Sequence, residues 1–116
     1  WALVRFRQMI LPAYGQRCCI SGESCPEVLR AAHIQPYLTE ESHHVQNGLL
    51  LRMDLHRLFS LGLITVTPAH RVRVSPWLES ETYRALEGQT ITVPALQQTQ
   101  PSPQALDHHN QKVFRF

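Results

Sequence analysis

Apolar residues along the chain gather in short runs that alternate with polar stretches punctuated by proline and glycine, the pattern of a domain built from several short elements. The first run, with Leu3, Val4, Phe6, Met9 and Ile10, predicts a helix with one buried stripe that Pro12 ends or bends. After a break at Tyr14-Gly15, Cys18-Cys19-Ile20 predicts a short buried strand before a turn at Ser21-Gly22. Leu29 to Ile34 is mostly apolar. Pro36 closes it, because proline lacks an amide donor and pushes Gln35 towards an extended conformation, so a strand ending near His33 is expected. Gln35 to Gln46 is polar and has no period that would bury it, hence a loop, and Asn47-Gly48 marks a turn.

Leu49-Leu50-Leu51 then predicts a second buried strand. Asp54 is the expected helix N-cap, with Leu55, Leu58 and Phe59 at helical spacing behind it. The core therefore reads strand, loop, strand, helix over about 29–62. Beyond it, the β-branched stretch Leu63 to Thr67, a turn at Pro68-Ala69 and Val72-Arg73-Val74 predict a hairpin that sets Arg71 and Arg73 opposite Val72 and Val74. Trp77 and Leu78 are expected to cover the core, and Glu79 to Leu86 to form a helix closed by Gly88. Gln89 to Gln104 reads as an extended wrap. A last helix spans Gln104 to Val113, with Leu106, Val113 and Phe114 inward and His108 and His109 on its surface.

These elements place the chain in the α+β class. Its 116 residues fit a single domain, 1–116. No apolar run approaches the roughly 20 residues that span a bilayer and no signal-peptide pattern opens the chain, so a cytoplasmic protein with no membrane partner is expected. Trp1 is not a translation start, which leads us to expect the C-terminal part of a longer protein. Cys18, Cys19 and Cys25 are too few for a disulfide framework and fit a reducing compartment. Buried, unligated thiols are favoured over a zinc site built from Cys18 or Cys19, Cys25 and a histidine. A net charge of +2 is only mildly basic, so charge is judged by placement. Arg52, Arg57, Arg71 and Arg73 cluster in sequence around the core and are candidates for contacting backbone phosphates without reading bases.

His33, Asn47 and His56 each stand where an apolar element meets a loop, so their polar ends can leave the core while their neighbours stay inside it. The fragments that carry them, AAHI, NGLLLR and DLHRLF, resemble the HNH nuclease family. More narrowly, they are similar to a branch whose motif runs AAHI-P, then H-x-x-NGLLLR-x-DLH-x-LF-x-x-GL. The likeness extends to AYGQRCCISG before the core, and to GLITVTPAHRVRVS and a late Leu-x-x-His segment after it.

The resemblance implies a ββα-metal core flanked by an N-terminal helix, a β-hairpin and C-terminal helices. It implies metal-dependent hydrolysis of DNA phosphodiester bonds, leaving 5′-phosphate and 3′-hydroxyl ends, with RNA as the other substrate to consider. His33 matches the general base, a role an imidazole fills because its ordinary pKa lies near cellular pH. His56 matches a metal ligand, and Asn47 matches the residue that ties the loop back and keeps His33 aimed. The implied ion is Mg2+ or Mn2+, with Zn2+ or Ni2+ as substitutes in crystals. Many HNH enzymes carry an Asp or His just before the base as a second ligand, but this chain has Ala32, which leaves His44 and then Asp54 as candidates. Ser60 stands where the branch commonly has Asp. The setting implied is an effector domain in restriction or defence, joined to an upstream recognition domain. The alternative is a catalytically weakened module that binds nucleic acid or a protein partner.

Overall fold

A computed structural model describes residues 2–36 and 44–116. The predicted loop between the two core strands lies mostly outside the described residues. The chain begins with α1 (Ala2–Ala13), of which only Phe6 and Ile10 are buried. Leu3, Val4 and Met9 stay exposed, so the buried stripe is narrower than the sequence suggests. Pro12 lies inside the last turn of α1 and does not stop it early. Cys18-Cys19-Ile20 is buried but is a turn, not the expected strand. Gly22 N–H donates back to Cys18 O at 2.9 Å, and two bonds to β2 dock the segment on the core, Cys19 N–H to Leu50 O at 2.9 Å and Arg52 N–H to Cys18 Sγ at 3.3 Å. Cys18 and Cys19 are buried free thiols, whereas Cys25 is exposed.

The core is the expected pair of strands and a helix. β1 (Leu29–His33) pairs antiparallel with β2 (Gly48–Arg52), in a register that sets Leu29 opposite Arg52 and His33 opposite Gly48. Leu49, Leu50 and Leu51 are all fully buried, as in a strand covered on both faces. α2 (Met53–Ser60) follows directly and turns Leu55 and Phe59 inward. Its N-cap is Arg52, not Asp54, which lies inside the first turn. A separate two-stranded sheet joins β3 (Ile64–Val66) to β4 (Val72–Val74), with Val72 and Val74 buried and Arg73 exposed between them. The expected helix after it shrinks to α3 (Glu81–Arg84), and Trp77 is 73% exposed instead of covering the core, a task left to Leu78.

α4 (Pro103–Lys112) is capped by Ser102, whose hydroxyl accepts from Ala105 N–H. The tail after α4 returns to the end of α2, where Arg115 N–H donates to Gly62 O at 2.9 Å. Gly62 has φ +74 and a side chain there would meet the backbone of Val113, so only glycine suits both its conformation and this contact.

Gly48 is a glycine for a different reason. Its φ of −130 is extended, not the positive angle a turn would need. A Cβ at this position would collide with Ile10 and come within 2.9 Å of Phe6 Cζ. The bare backbone thus lets α1 lie directly on β2, and Tyr14 fixes the contact by donating its hydroxyl to Gly48 O at 2.8 Å. Gly48→Ala is expected to cost about 1–3 kcal/mol through overpacking. Urea unfolding checks this, and an unchanged midpoint would show that α1 can slide to make room.

Candidate active site

His33 is the last residue of β1, half-buried, with its ring stacked on Phe6 at a centroid distance of 4.0 Å and an interplanar angle of 5°. α1 therefore sets the plane of the imidazole, and the absence of a side chain on Gly48, its cross-strand partner, leaves Phe6 room to reach it. The chain leaving His33 is held by Asn47. The Asn47 Oδ1 accepts from Gln35 N–H at 2.9 Å, its Nδ2 donates to Gln35 O at 3.3 Å, and its own carbonyl accepts from Ile34 N–H at 2.9 Å. One residue grips the three peptide groups that follow the histidine.

His56 lies in the first turns of α2, half-buried. Burial pushes its pKa below the ordinary 6.5, and the nearby Arg30 guanidinium pushes it the same way, so the ring is neutral at neutral pH and keeps a lone pair for a metal or a proton. His33 and His56 line one open cleft of about 510 Å3, together with Phe6, Arg7, Arg30 and Ser60. His33 and Ser60 also border a second cavity of about 190 Å3, whose walls include Ile34, Phe59 and His109.

The other sequence candidates do not join this cleft. His44 is exposed and caps the 3-10 turn of Val45–Asn47, its Nδ1 accepting from Gln46 N–H at 3.1 Å. Asp54 is held by Arg52 through two bonds of 2.7 and 2.9 Å, and Tyr83 donates its hydroxyl to the same carboxylate at 2.6 Å. These donors draw its pKa down to about 2, as a structural ion pair does. Arg52 is committed to that pair. Arg57 is exposed on α2, Arg71 donates to Gly88 O at 3.2 Å, and Arg73 lies over the Phe114 ring at 5.1 Å. None of the four lines the cleft; its guanidinium groups come from Arg7 and Arg30 instead.

Among the described residues, no three His, Cys, Asp or Glu side chains gather in a metal-ligand cluster, and the alternative of a cysteine-bound zinc has no such cluster to occupy. Among the described residues of the cleft, the imidazoles are the strongest side-chain donors to a divalent ion, whose other positions would have to be filled by water and phosphate oxygens.

The sequence reading also missed His109. It is 2% exposed, not a surface residue, and its ring stacks on Phe59 at 3.7 Å and 6°. Its Nε2–H must donate to Phe59 O at 2.9 Å, since a carbonyl can only accept, and Nδ1 then accepts from the Thr65 hydroxyl at 2.7 Å. Asn110 in turn donates to Thr65 Oγ1 at 2.7 Å. The ring is thereby satisfied in its neutral form, and burial pushes its pKa down to about 4. A buried histidine on a mostly polar helix gives no periodic signal, although Leu106 three residues earlier lies on the same face.

Two strands and a helix thus bring the imidazoles of His33 and His56 to one cleft. Residues 18–67 match the model of the HNH endonuclease family. This segment belongs to the HNH endonuclease family. The match runs from Cys18 through β3 and takes in His33, Asn47 and His56, while α1, α4 and His109 lie outside it. HNH membership brings a ββα-metal fold, nuclease activity as the functional class and nucleic acid as the substrate, and HNH nucleases typically use divalent metal ions. No curated protein matches the chain. Among the described residues, no helix is long and apolar enough to cross a membrane.

Proposed function

We propose that this HNH domain is a metal-dependent endonuclease that hydrolyses DNA phosphodiester bonds, with His33 as general base, His56 as metal ligand and Asn47 as the residue that positions the base. The observation that supports it best is the shared cleft: two imidazoles from separate elements, His33 at the end of β1 and His56 on α2, line one open space. In this reading His33 takes a proton from the attacking water, with its ring plane set by Phe6 and its backbone set by Asn47. His56 would hold a divalent cation, which would supply charge neutralisation for the phosphoryl transfer. The proposed setting is restriction or defence, a reading that rests on the family resemblance.

A second reading, a weakened module that binds without cutting, draws on Ala32 and on the thin donor set around His56. Plasmid nicking decides between them. Cleavage with Mg2+ or Mn2+ that EDTA abolishes is the expected result, and binding without cleavage under any divalent ion would favour the module. His56→Ala should weaken Mn2+ binding by at least tenfold in calorimetry, in the range that loss of ligand-shell residues produces (about 10–100-fold). Unchanged binding would remove His56 from the ligand set.

A further inference from the structure

Among the described residues, no carboxylate lines the cleft that holds His33 and His56, while two arginines, Arg7 and Arg30, border it. They are not equivalent. Arg7 is committed to the backbone, donating to Leu29 O and, at 2.8 Å, to Pro26 O, and so ties α1 to the start of β1. Arg30, the next residue after Leu29, is exposed. Among the described residues it donates to no protein acceptor and forms no ion pair. Its strand is held by Arg7 on one side and by pairing with Leu51 on the other, so its backbone is fixed while its head group is left to the cleft.

An exposed arginine is ordinarily a solvated surface residue. Arg30 differs in its surroundings. Arg52 is neutralised by Asp54, and Arg84 is committed to the Ser75 and Leu78 carbonyls. Arg30 instead borders a space whose polar lining residues are His33, His56, Ser60 and a second arginine. A concave site with cationic donors and no acid favours an anion. A guanidinium fork matches the paired non-bridging oxygens of a phosphodiester.

We propose that Arg30 is the phosphate anchor of this cleft, its guanidinium holding a backbone phosphate of the nucleic acid beside His33 and His56. This rests on the nuclease reading above. Arg30 would bring positive charge to the phosphate from β1, and it would do so without regard to base sequence.

The test is binding of a labelled DNA duplex in EDTA, where cleavage is suppressed, followed by fluorescence anisotropy across a series of NaCl concentrations. Arg30→Ala should bind more weakly at low salt and flatten the dependence of log affinity on log salt by about one phosphate contact. Arg30→Lys should keep most of that slope, because the charge remains. Lys112→Ala removes the same charge from an exposed position on α4 outside the cleft, and should leave the slope close to the parent's. In steady-state cleavage with metal, Arg30→Ala should raise KM. If Arg30→Ala kept the parent's salt slope, or flattened it no more than Lys112→Ala, Arg30 would not be the anchor, and a parent that still nicked plasmid would leave the nuclease reading standing. A parent that neither bound nor cut DNA would overturn both.

Discussion

His33→Ala is expected to slow DNA cleavage by about 10²–10⁴-fold, the range that a positioned general base contributes. The loss should fall on kcat while DNA binding in EDTA stays near the parent's, because the imidazole acts on the water and not on the substrate's affinity. Stability should change little. Loss of the half-buried ring's stack on Phe6 should cost about 0.5–1.5 kcal/mol. Added imidazole should restore part of the rate, since the missing ring leaves open space in the cleft. A purified His33→Ala protein that cut plasmid as fast as the parent would end the assignment of this residue as base. Loss of cleavage together with loss of the fold would instead show that the ring is mainly a packing element.

The second large effect concerns His109. Replacing this buried ring by alanine removes its stack on Phe59 and two hydrogen bonds, and should cost about 3–5 kcal/mol, as deletion of a buried aromatic ring does. Its titration makes the assignment sharper. The folded chain holds the ring neutral down to about pH 4, whereas in the unfolded chain it takes up a proton below its ordinary 6.5. Between those values the unfolded state binds more protons, so stability rises with pH across the window and is lost as pH falls through it, by about 3 kcal/mol in all. His56, also pushed below its ordinary value, adds to the slope in the same direction. Asp54, drawn down to about 2, acts at lower pH, where protonation breaks its pair with Arg52. Urea midpoints measured from pH 4 to pH 7 should therefore climb steeply in the parent and more gently in His109→Ala. Equal slopes would mean that His109 is not held neutral by its surroundings.

The ββα core was legible because each boundary has a local cause: Pro36 limits β1, the leucine run forms a doubly covered β2, and Leu55 and Phe59 mark the buried face of α2. The spacing of His33, Asn47 and His56 then pointed to the family. What the sequence could not show is which partner each polar side chain finds. Asp54 looked available for a metal, yet its fate depends on Arg52 two residues before it and on Tyr83, 29 residues along the chain. The arginines nearest the motif were the natural phosphate candidates. Tertiary packing turned Arg71 and Arg73 to other tasks and brought Arg30 to the cleft from the strand before the loop. Gly48 followed a turn residue in sequence and read as part of the turn, but its conformation is that of a strand, and the reason for glycine lies in α1, more than thirty residues away.

The stack of Phe6 on His33 gives the first helix two duties at once, one in the hydrophobic core and one at the end of β1, where the proposed base stands. Loss of order in this molecule should consequently be felt first as a loss of turnover: when the opening segment peels away on warming, the imidazole loses its backing plate while the leucine-rich strand beneath still holds, and catalytic competence fades ahead of the cooperative melt.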